Sequence, residues 1–238
     1  MTSLRMNDLL LQWREHGATY PALRFGKYQE RAHRVLNVIV ASIGLVISAP
    51  LMLIIAMVVK VSSKGPVFYR QTRVGLDRRS PDGDRGSHRR MVDLGGKPFT
   101  IYKFRTMQAR DDGRQVWAGK GDARVTRAGR VLRQFRLDEL PQLVNVLKGD
   151  MNVVGPRPEQ PRIFADLRNQ VHRYEERQRV RPGITGWAQI NHHYDESIED
   201  VKRKVAFDLQ YISRRSLAQD IKIMLLTAPA MVLRKGAW

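Results

Sequence analysis

The sequence contains no cysteine, and this absence excludes several classes of protein. A disulfide scaffold, a thiolate zinc site and a cysteine nucleophile all require the missing side chain. The chain also lacks a glycine-rich nucleotide loop ending in Gly-Lys-Ser or Gly-Lys-Thr, a GxGxxG turn and the HExxH zinc motif. It has no repeat or heptad array, so a solenoid and a coiled coil are excluded as well.

Acidic residues are scarce relative to basic ones. The 238 residues include 42 Lys and Arg against 23 Asp and Glu, which gives a formal net charge of +19. Such a surplus indicates anionic partners: nucleic acid, anionic lipid headgroups or phosphorylated small molecules. With 42% hydrophobic residues, the chain is too apolar for a disordered tail and long enough for one core with appendages.

One segment lacks charge altogether. From Val35 to Val59, 20 of 25 residues are apolar and none is charged, which is typical of a membrane helix. Basic residues flank this segment on both sides: Arg31, Arg34, Lys60 and Lys64. Because basic flanks tend to stay on the cytoplasmic side, both ends are expected to face the cytoplasm.

Pro50 lies in the middle of this segment, where it removes one backbone donor and favours a break in the helix. Ser48 is placed to bond a carbonyl that such a break would free. The sequence therefore predicts a re-entrant helix-break-helix over residues 31–64, which enters one leaflet and returns. A proline-kinked spanning helix is the alternative. Residues 1–30 form an N-terminal segment to which the sequence assigns no role.

The remaining residues, 65–238, predict a cytoplasmic domain of the α+β class that is mainly helical and has short strands. Aromatic and β-branched runs predict strands near residues 65–70 and 99–105, and helices are expected over about 161–179 and 197–212. Residues 77–95, rich in Gly, Asp and Arg, predict a mobile inserted loop. The apolar run before Arg234 and Lys235 predicts an interfacial C-terminal segment over residues 220–235.

Two adjacent carboxylates, Asp138 and Glu139, precede Pro141 at the predicted start of a helix. Helix capping would explain them, since acidic side chains suit a first turn. A chemical role is the other interpretation, because Arg133 and Arg136 can hold the pair ionised. Paired carboxylates together with phosphate oxygens also suit Mg²⁺, and an ionised aspartate can be the nucleophile of a covalent phosphoryl intermediate.

Two arginines lie in stiff turns. Arg157 stands between two prolines, and Arg181 precedes a Pro-Gly pair. A fixed backbone lowers the entropy lost on binding, and the planar guanidinium matches phosphate oxygens. Both turns could equally carry a solvated arginine. His192 and His193 are adjacent and point in different directions, so a shared metal site is not expected there.

Taken together, these motifs resemble the bacterial sugar transferase family, the small monotopic polyprenol-phosphate phosphoglycosyl transferases, over about residues 31–238. The matching blocks are residues 65–68, 73–75, 101–107, 137–143, 149–151, 154–158 and 181–186. The resemblance implies a monotopic membrane protein at the cytoplasmic face of the bacterial inner membrane, with residues 65–238 as its catalytic domain.

The implied activity is transfer of a sugar phosphate from a UDP-sugar to undecaprenyl phosphate, with release of UMP, as the first membrane step of polysaccharide or glycoconjugate assembly. By the same resemblance Asp138 is the nucleophile, which forms an aspartyl phosphosugar intermediate, and Glu139 is its partner acid. Mg²⁺ is the implied cofactor, with Asp138 as its ligand and Glu139 as a second candidate ligand.

The resemblance also implies that Arg133, Arg157, Arg181 and, less specifically, Lys103 face phosphate, and that Ser48 and Pro50 mark the membrane break. Four features depart from the family pattern: Asn37 in place of the usual Asp, an extra residue between Ser48 and Pro50, the inserted loop over 77–95, and residues 191–193, which read Asn-His-His instead of Asn-Gly-Arg. Expected partners are the UDP-sugar, undecaprenyl phosphate and anionic membrane lipids, without nucleic acid.

Two other functions fit part of the sequence. A membrane-tethered nucleic-acid-binding protein would account for the net charge but not for Asp138 and Glu139. An inactive scaffold of a glycan-assembly complex would account for the unusual residues 191–193. The sequence identifies neither the sugar nor the pathway, and it does not decide between a monomer and a homo-oligomer.

Overall fold

The computed structural model describes residues 26–77, 95–108, 122–192 and 196–232, with side chains up to residue 227. The segments predicted as an N-terminal region without a role and as an inserted loop therefore fall almost entirely outside the described residues. The helices are α1 (Lys27–Ser62), α2 (Arg127–Gln134), α3 (Gln142–Lys148), α4 (Pro161–Gln170), α5 (Trp187–Asn191), α6 (Ile198–Ser213) and α7 (Leu217–Val232), with 3₁₀ helices at Leu137–Glu139 and Tyr174–Arg179.

Four short strands form two separate pairs. Strands β1 (Phe68–Val74) and β2 (Pro98–Phe104) pair antiparallel, so that Tyr69 lies opposite Lys103. Strands β3 (Asn152–Val154) and β4 (Gly183–Thr185) pair parallel. The two strands predicted from aromatic and β-branched runs are confirmed, and the mainly helical composition with some strands is that of the predicted α+β class.

Helix α6 organises the largest buried cluster. Its start is fixed by a capping box, in which the Ser197 hydroxyl accepts from the amide of Asp200 at 3.2 Å and the Asp200 carboxylate accepts from the amide of Ser197 at 3.1 Å. Its buried positions recur every three or four residues and belong to the cluster that also holds Phe164 of α4 and Ile223 of α7. They are Val201, Val205, Leu209 and Ile212. The helix predicted over 197–212 is confirmed.

The single helix predicted over about 161–179 is wrong. Helix α4 ends at Gln170, where Val171 adopts an extended conformation and is buried in the core. Arg173 then has a positive φ of 60°, which an α-helix does not accept, and the chain continues as a 3₁₀ helix from Tyr174. The need to bury Val171 and Tyr174 therefore outweighs helical propensity here.

Helix α1 is long and apolar enough to cross a membrane by length and composition. It is a single helix with Pro50 inside it, where the sequence predicted two helices. The Ser48 hydroxyl donates to the Gly44 carbonyl at 2.6 Å and not to the Val46 carbonyl, which Pro50 leaves without its usual helical donor. The secondary structure is thus continuous through Ser48 and Pro50, and the re-entrant course of this segment stays a prediction.

The N-terminal half of α1 is fastened to the rest of the protein by polar contacts. The Arg34 guanidinium donates to the carbonyls of Val146 and Leu147 at 2.5 and 2.6 Å, at the end of α3. The buried side chain of Asn37 accepts from the amide of Val153 at 2.5 Å. An amide can both donate and accept, so Asn37 also donates to the His33 carbonyl within α1.

The C-terminal half of α1 is fastened as well. Ile55 and Val59 are buried in a cluster with Phe104 and Leu132. The guanidinium of the buried Arg105 donates to the carbonyls of Val59 and Ser63 at 3.2 and 2.7 Å, so it satisfies orphan acceptors where α1 ends. Both halves of α1 therefore contact the same domain.

The predicted C-terminal segment begins inside α7, which has one buried face. Ile223 is fully buried in the main cluster, while Leu225 and Leu226 are exposed. A helix with exposed leucines beside a buried face suits a membrane interface, and this location stays a prediction.

Candidate active site

Asp138 and Glu139 lie on the 3₁₀ helix between α2 and α3. Arg136, with a positive φ of 53°, turns the chain into this helix. Helix α3 begins after Pro141, and no side chain caps it by a hydrogen bond. The capping interpretation of the two acids is therefore wrong. Both carboxylates are instead buried, with 7% and 6% of the residue surface exposed.

Two cations hold Glu139 from different parts of the chain. Its Oε1 accepts from Nζ of Lys103 on β2 at 2.7 Å and from Nη2 of Arg157 at 2.8 Å. Burial by itself raises the pKa of Glu139, but Arg157, Lys103 and Arg136 outweigh burial and hold that pKa well below its usual range. Glu139 is therefore ionised and serves as the anchor of the cationic side chains.

The pKa of Asp138 is shifted in the opposite direction. Burial raises its pKa to about 6, and the charge of Glu139 adds to this effect, while Lys103, Arg157 and Arg133 oppose it. The surroundings of Asp138 therefore stabilise its negative charge poorly. Such a carboxylate is more reactive toward an electrophile than one held by strong ion pairs. The environments of the two neighbouring acids thus separate a reactive group from an anchoring group.

The structure brings three of the four predicted phosphate-binding cations to the acid pair. Lys103 and Arg157 contact Glu139 directly, and Arg133 acts on the carboxylate of Asp138. Burial lowers the pKa of Lys103, and Glu139 only partly opposes this effect. The Glu139 carboxylate raises the pKa of Arg157. Four cationic side chains, those of Lys103, Arg133, Arg136 and Arg157, therefore act on two carboxylates.

Arg181 is placed elsewhere. Its Nε donates to the Gly149 carbonyl at 3.1 Å, and its Nη1 lies 3.4 Å from Oε2 of Glu30 on α1. These contacts join α1 to the turn after α3, so the structure does not bring Arg181 into the acid pair. Its phosphate-binding role stays a prediction.

Sequence reasoning missed a second buried charge network beside the site. Nε of Arg177 lies 2.7 Å from Oδ2 of Asp208, and Nζ of Lys204 lies 3.0 Å from Oε1 of Glu159. Nη2 of Arg177 also donates to the main-chain carbonyl of Arg157 at 3.0 Å. Arg177 and Asp208 are 31 positions apart, so no local spacing could have revealed the pair.

Comparison of the sequence with known proteins identifies the family of this chain. Residues 28–234 match the sequence model of the family described as bacterial sugar transferase. The chain belongs to this family. The resemblance inferred from the motifs is thereby confirmed.

Named members of the family are similar over most of this chain. A UDP-glucose:undecaprenyl-phosphate glucose-1-phosphate transferase of Caulobacter vibrioides is 41% identical over 208 residues, which cover 86% of this chain and 71% of that protein. The Escherichia coli protein of the same name is 39% identical, and 41% of its length is covered. A UDP-N-acetylgalactosamine-undecaprenyl-phosphate N-acetylgalactosaminephosphotransferase of Aeromonas hydrophila is 39% identical, with 44% of its length covered. The chain thus spans less than half of the last two relatives.

Proposed function

We propose that this bacterial sugar transferase transfers a sugar phosphate from a UDP-sugar to undecaprenyl phosphate and releases UMP. The observation that carries the proposal is the difference between the two buried acids: Oε1 of Glu139 is hydrogen-bonded to Lys103 and Arg157, whereas burial raises the pKa of the adjacent Asp138. The names of the relatives support the donor and acceptor classes. The product begins the assembly of a polysaccharide or glycoconjugate.

The reaction proceeds in two displacements at phosphorus. A carboxylate oxygen of Asp138 attacks the phosphorus that bears the sugar, and the bond to the bridging oxygen breaks, so UMP leaves with the electron pair. The resulting aspartyl phosphosugar is then attacked by a phosphate oxygen of undecaprenyl phosphate. The acyl phosphate bond breaks, which regenerates the Asp138 carboxylate and yields the diphosphate-linked lipid.

Cationic side chains stabilise the charge that moves during both displacements. Arg157 and Lys103 already converge on Glu139, so they are oriented before the donor binds. The charge of Arg133 also acts on Asp138, where it lowers the pKa of the carboxyl group. The guanidinium of Arg157 is partly exposed, which leaves part of its fork able to contact a donor phosphate oxygen.

Mg²⁺ is the cofactor that best fits the oxygen ligands offered here, which are the carboxylates of the acid pair and the phosphates of the substrate. Mg²⁺ in enzymes commonly takes one or two carboxylates together with substrate phosphates, and Asp138 supplies such a carboxylate. Glu139 is the weaker of the two predicted ligands, because its Oε1 is held by two cations. When bound, Mg²⁺ would neutralise charge on the diphosphate. The described residues contain no cluster of three or more His, Asp or Glu side chains that could hold a metal without substrate.

Helix α1 is proposed to enter one leaflet without crossing the membrane, which places the catalytic domain on the cytoplasmic face of the inner membrane. Leu143 packs against Gly44, and Met52 packs against the cluster around Phe104. The segment between these contacts, residues 45–51, rises by about 10 Å as a helix. The hydrocarbon core is about 30 Å thick, so this segment is too short to span it.

The test is turnover with a panel of UDP-sugars in the presence of Mg²⁺ and undecaprenyl phosphate. Release of UMP with at least one donor is expected, with UDP-glucose and UDP-N-acetylgalactosamine tried first. With donor alone, mass spectrometry should find a sugar-phosphate adduct on Asp138, and Asp138→Asn should show neither adduct nor UMP. Wild-type protein that binds nucleic acid but turns over no donor would contradict the proposal, and a folded but wholly inactive wild type would favour the scaffold.

A further inference from the structure

The segment that carries Arg157 is held by four consecutive main-chain carbonyls. Residues 156–159 form neither helix nor strand. The four carbonyl oxygens accept as follows: Pro156 from the amide of Gly183 at 2.9 Å, Arg157 from Nη2 of Arg177 at 3.0 Å, Pro158 from Nη1 of Arg73 at 3.0 Å, and Glu159 from the amide of Val74 at 2.9 Å. Every carbonyl of the segment is thus fixed by a donor from another part of the chain.

The composition of this segment explains why side chains supply two of the four donors. Pro156 and Pro158 have no amide hydrogen, so the segment cannot pair regularly as a strand. A buried carbonyl without a donor is costly, and a guanidinium presents several N–H groups in a fixed plane. The guanidinium groups of Arg177 and Arg73 therefore replace the backbone amides of a neighbouring strand as donors to the carbonyls of residues 157 and 158.

Arg177 is itself held rigidly. Its side chain is fully buried, with Nε on the Asp208 carboxylate at 2.7 Å and Nη1 at 3.9 Å from Oε1 of Glu159. The ring of Tyr174 lies 4.9 Å from the centre of the guanidinium. Because the Asp208 carboxylate holds Nε and so orients the guanidinium plane, Nη2 is directed at the Arg157 carbonyl.

Arg73 connects the same segment to the β1–β2 hairpin. Its Nη1 donates to the Pro158 carbonyl at 3.0 Å and its Nη2 to Oε1 of Gln71 at 2.6 Å. Lys103 belongs to the partner strand of this hairpin. The two cations that share Oε1 of Glu139 are therefore fixed relative to each other, Lys103 by the hairpin and Arg157 by the segment attached to it.

We propose that Arg177 and Arg73 are positioning residues, which aim the Arg157 guanidinium at the acid pair and the donor phosphate by fixing the carbonyls of residues 157 and 158. The proposal rests on the proposed function, because it assumes that Arg157 meets a transferring phosphate. Neither positioning residue touches the substrate. Their effect passes through the main chain of the segment.

Arg177→Lys is the first test. A lysine keeps the positive charge beside Asp208 and Glu159, but its single nitrogen lacks the planar fork with which Arg177 serves Asp208 through Nε and the Arg157 carbonyl through Nη2. We expect kcat to fall about tenfold while the KM for the donor changes by less than about threefold, since a small displacement of an aligned group lowers the rate of the chemical step. Arg73→Lys should act in the same direction.

Two matched controls carry the same substitution on neighbouring arginines. Arg179→Lys lies in the same 3₁₀ helix, and its ion pair is with Glu176 at 3.4 Å. Arg70→Lys lies on the same strand as Arg73, beside the ring of Tyr102. Both controls should keep kcat within about twofold of the wild type. Thermal unfolding checks that every variant is folded, and Arg73→Lys carries the test if Arg177→Lys does not fold.

A double-mutant cycle separates positioning from a general structural effect. In an Arg157→Ala background, Arg177→Lys should lower kcat by less than about twofold, because the group that it positions is gone. An equal fall in both backgrounds would overturn the proposal. If the wild type shows no turnover, the proposed function fails, and the same cycle measured on the Kd for UDP still decides the positioning role. A wild type that neither turns over nor binds UDP overturns both.

Discussion

Asp138 and Glu139 are adjacent residues, yet the environment stabilises the ionised form of only one of them. The Glu139 carboxylate accepts two short hydrogen bonds from cations, whereas burial disfavours the charge on Asp138. A buried charge without full compensation lowers the stability of the folded state. The reactive acid should therefore destabilise the fold, and the anchoring acid should stabilise it.

This difference predicts opposite stability effects for two isosteric substitutions. Asp138→Asn removes a poorly compensated charge and should raise the free energy of unfolding by about 1 kcal/mol. Glu139→Gln leaves Lys103 and Arg157 facing each other and should lower it by about 3 kcal/mol. Both variants should lose UMP release. Thermal unfolding in detergent with EDTA at pH 7.5 measures the two shifts.

Glu199→Gln is the control for these two variants. Glu199 pairs with Lys202 on an exposed face of α6, so its neutralisation should change the unfolding temperature very little. Shifts of the same sign for Asp138→Asn and Glu139→Gln would contradict the division of roles between the two acids.

A second prediction at the residue scale concerns Glu159 and the pH dependence of the free energy of unfolding. Burial opposes ionisation of Glu159, but Lys204, Arg177 and Arg73 together lower its pKa to about 2 from a usual value of 4.5. A depressed carboxyl pKa contributes stability that is present above the unfolded-state pKa and is lost as the pH falls toward the folded-state value. Glu159→Gln should therefore be less stable than the wild type at pH 7, with a difference that shrinks from about pH 5 downward.

Unfolding followed from pH 7 to pH 3 checks this. The difference between the two curves isolates Glu159 from the other carboxylates, which titrate in both proteins. A difference that stays constant over this range would show that Glu159 contributes through packing and not through its charge.

At the scale of elements, local patterns predicted strands β1 and β2 and helix α6. The capping residues and periodic apolar positions of α6 lie close together in sequence, so their consequence could be predicted. The continuation of α4 beyond Gln170 was wrong because a tertiary contact decided it: Val171 is buried in the core, which local periodicity does not reveal.

The candidate site shows the same limit. The sequence motifs predicted site roles for Asp138, Glu139 and Arg157. The hydrogen bond from Lys103 to Glu139, however, joins residues that are 36 positions apart. No spacing rule predicts such a pair, since it depends on how the β1–β2 hairpin lies against the 3₁₀ helix. The same holds for Arg181, whose sequence context resembles that of Arg157 but whose guanidinium faces Glu30.

At the scale of the whole molecule, the catalytic domain and α1 form one body. Apolar side chains in the middle of α1, between the contacts near its two ends, are exposed, and Ile47 there is 74% exposed. Apolar surface of this extent is unfavourable in water and favourable in lipid. In the proposed re-entrant arrangement, the basic residues on both flanks of the helix would lie near the same lipid surface, where anionic headgroups would attract them.

This arrangement predicts that both ends of α1 are accessible from one side of the membrane. The chain has no cysteine, so Arg31→Cys and Lys64→Cys each introduce a unique thiol at an exposed position. In intact cells, a membrane-impermeant maleimide should label neither thiol. In inside-out membrane vesicles, it should label both. Ile47→Cys serves as the lipid-embedded control, because a thiol within the hydrocarbon stays protonated and unreactive in both preparations. Labelling of one thiol from each side would mean that α1 spans the membrane, and the contacts of both its halves with a single domain would then have to be abandoned.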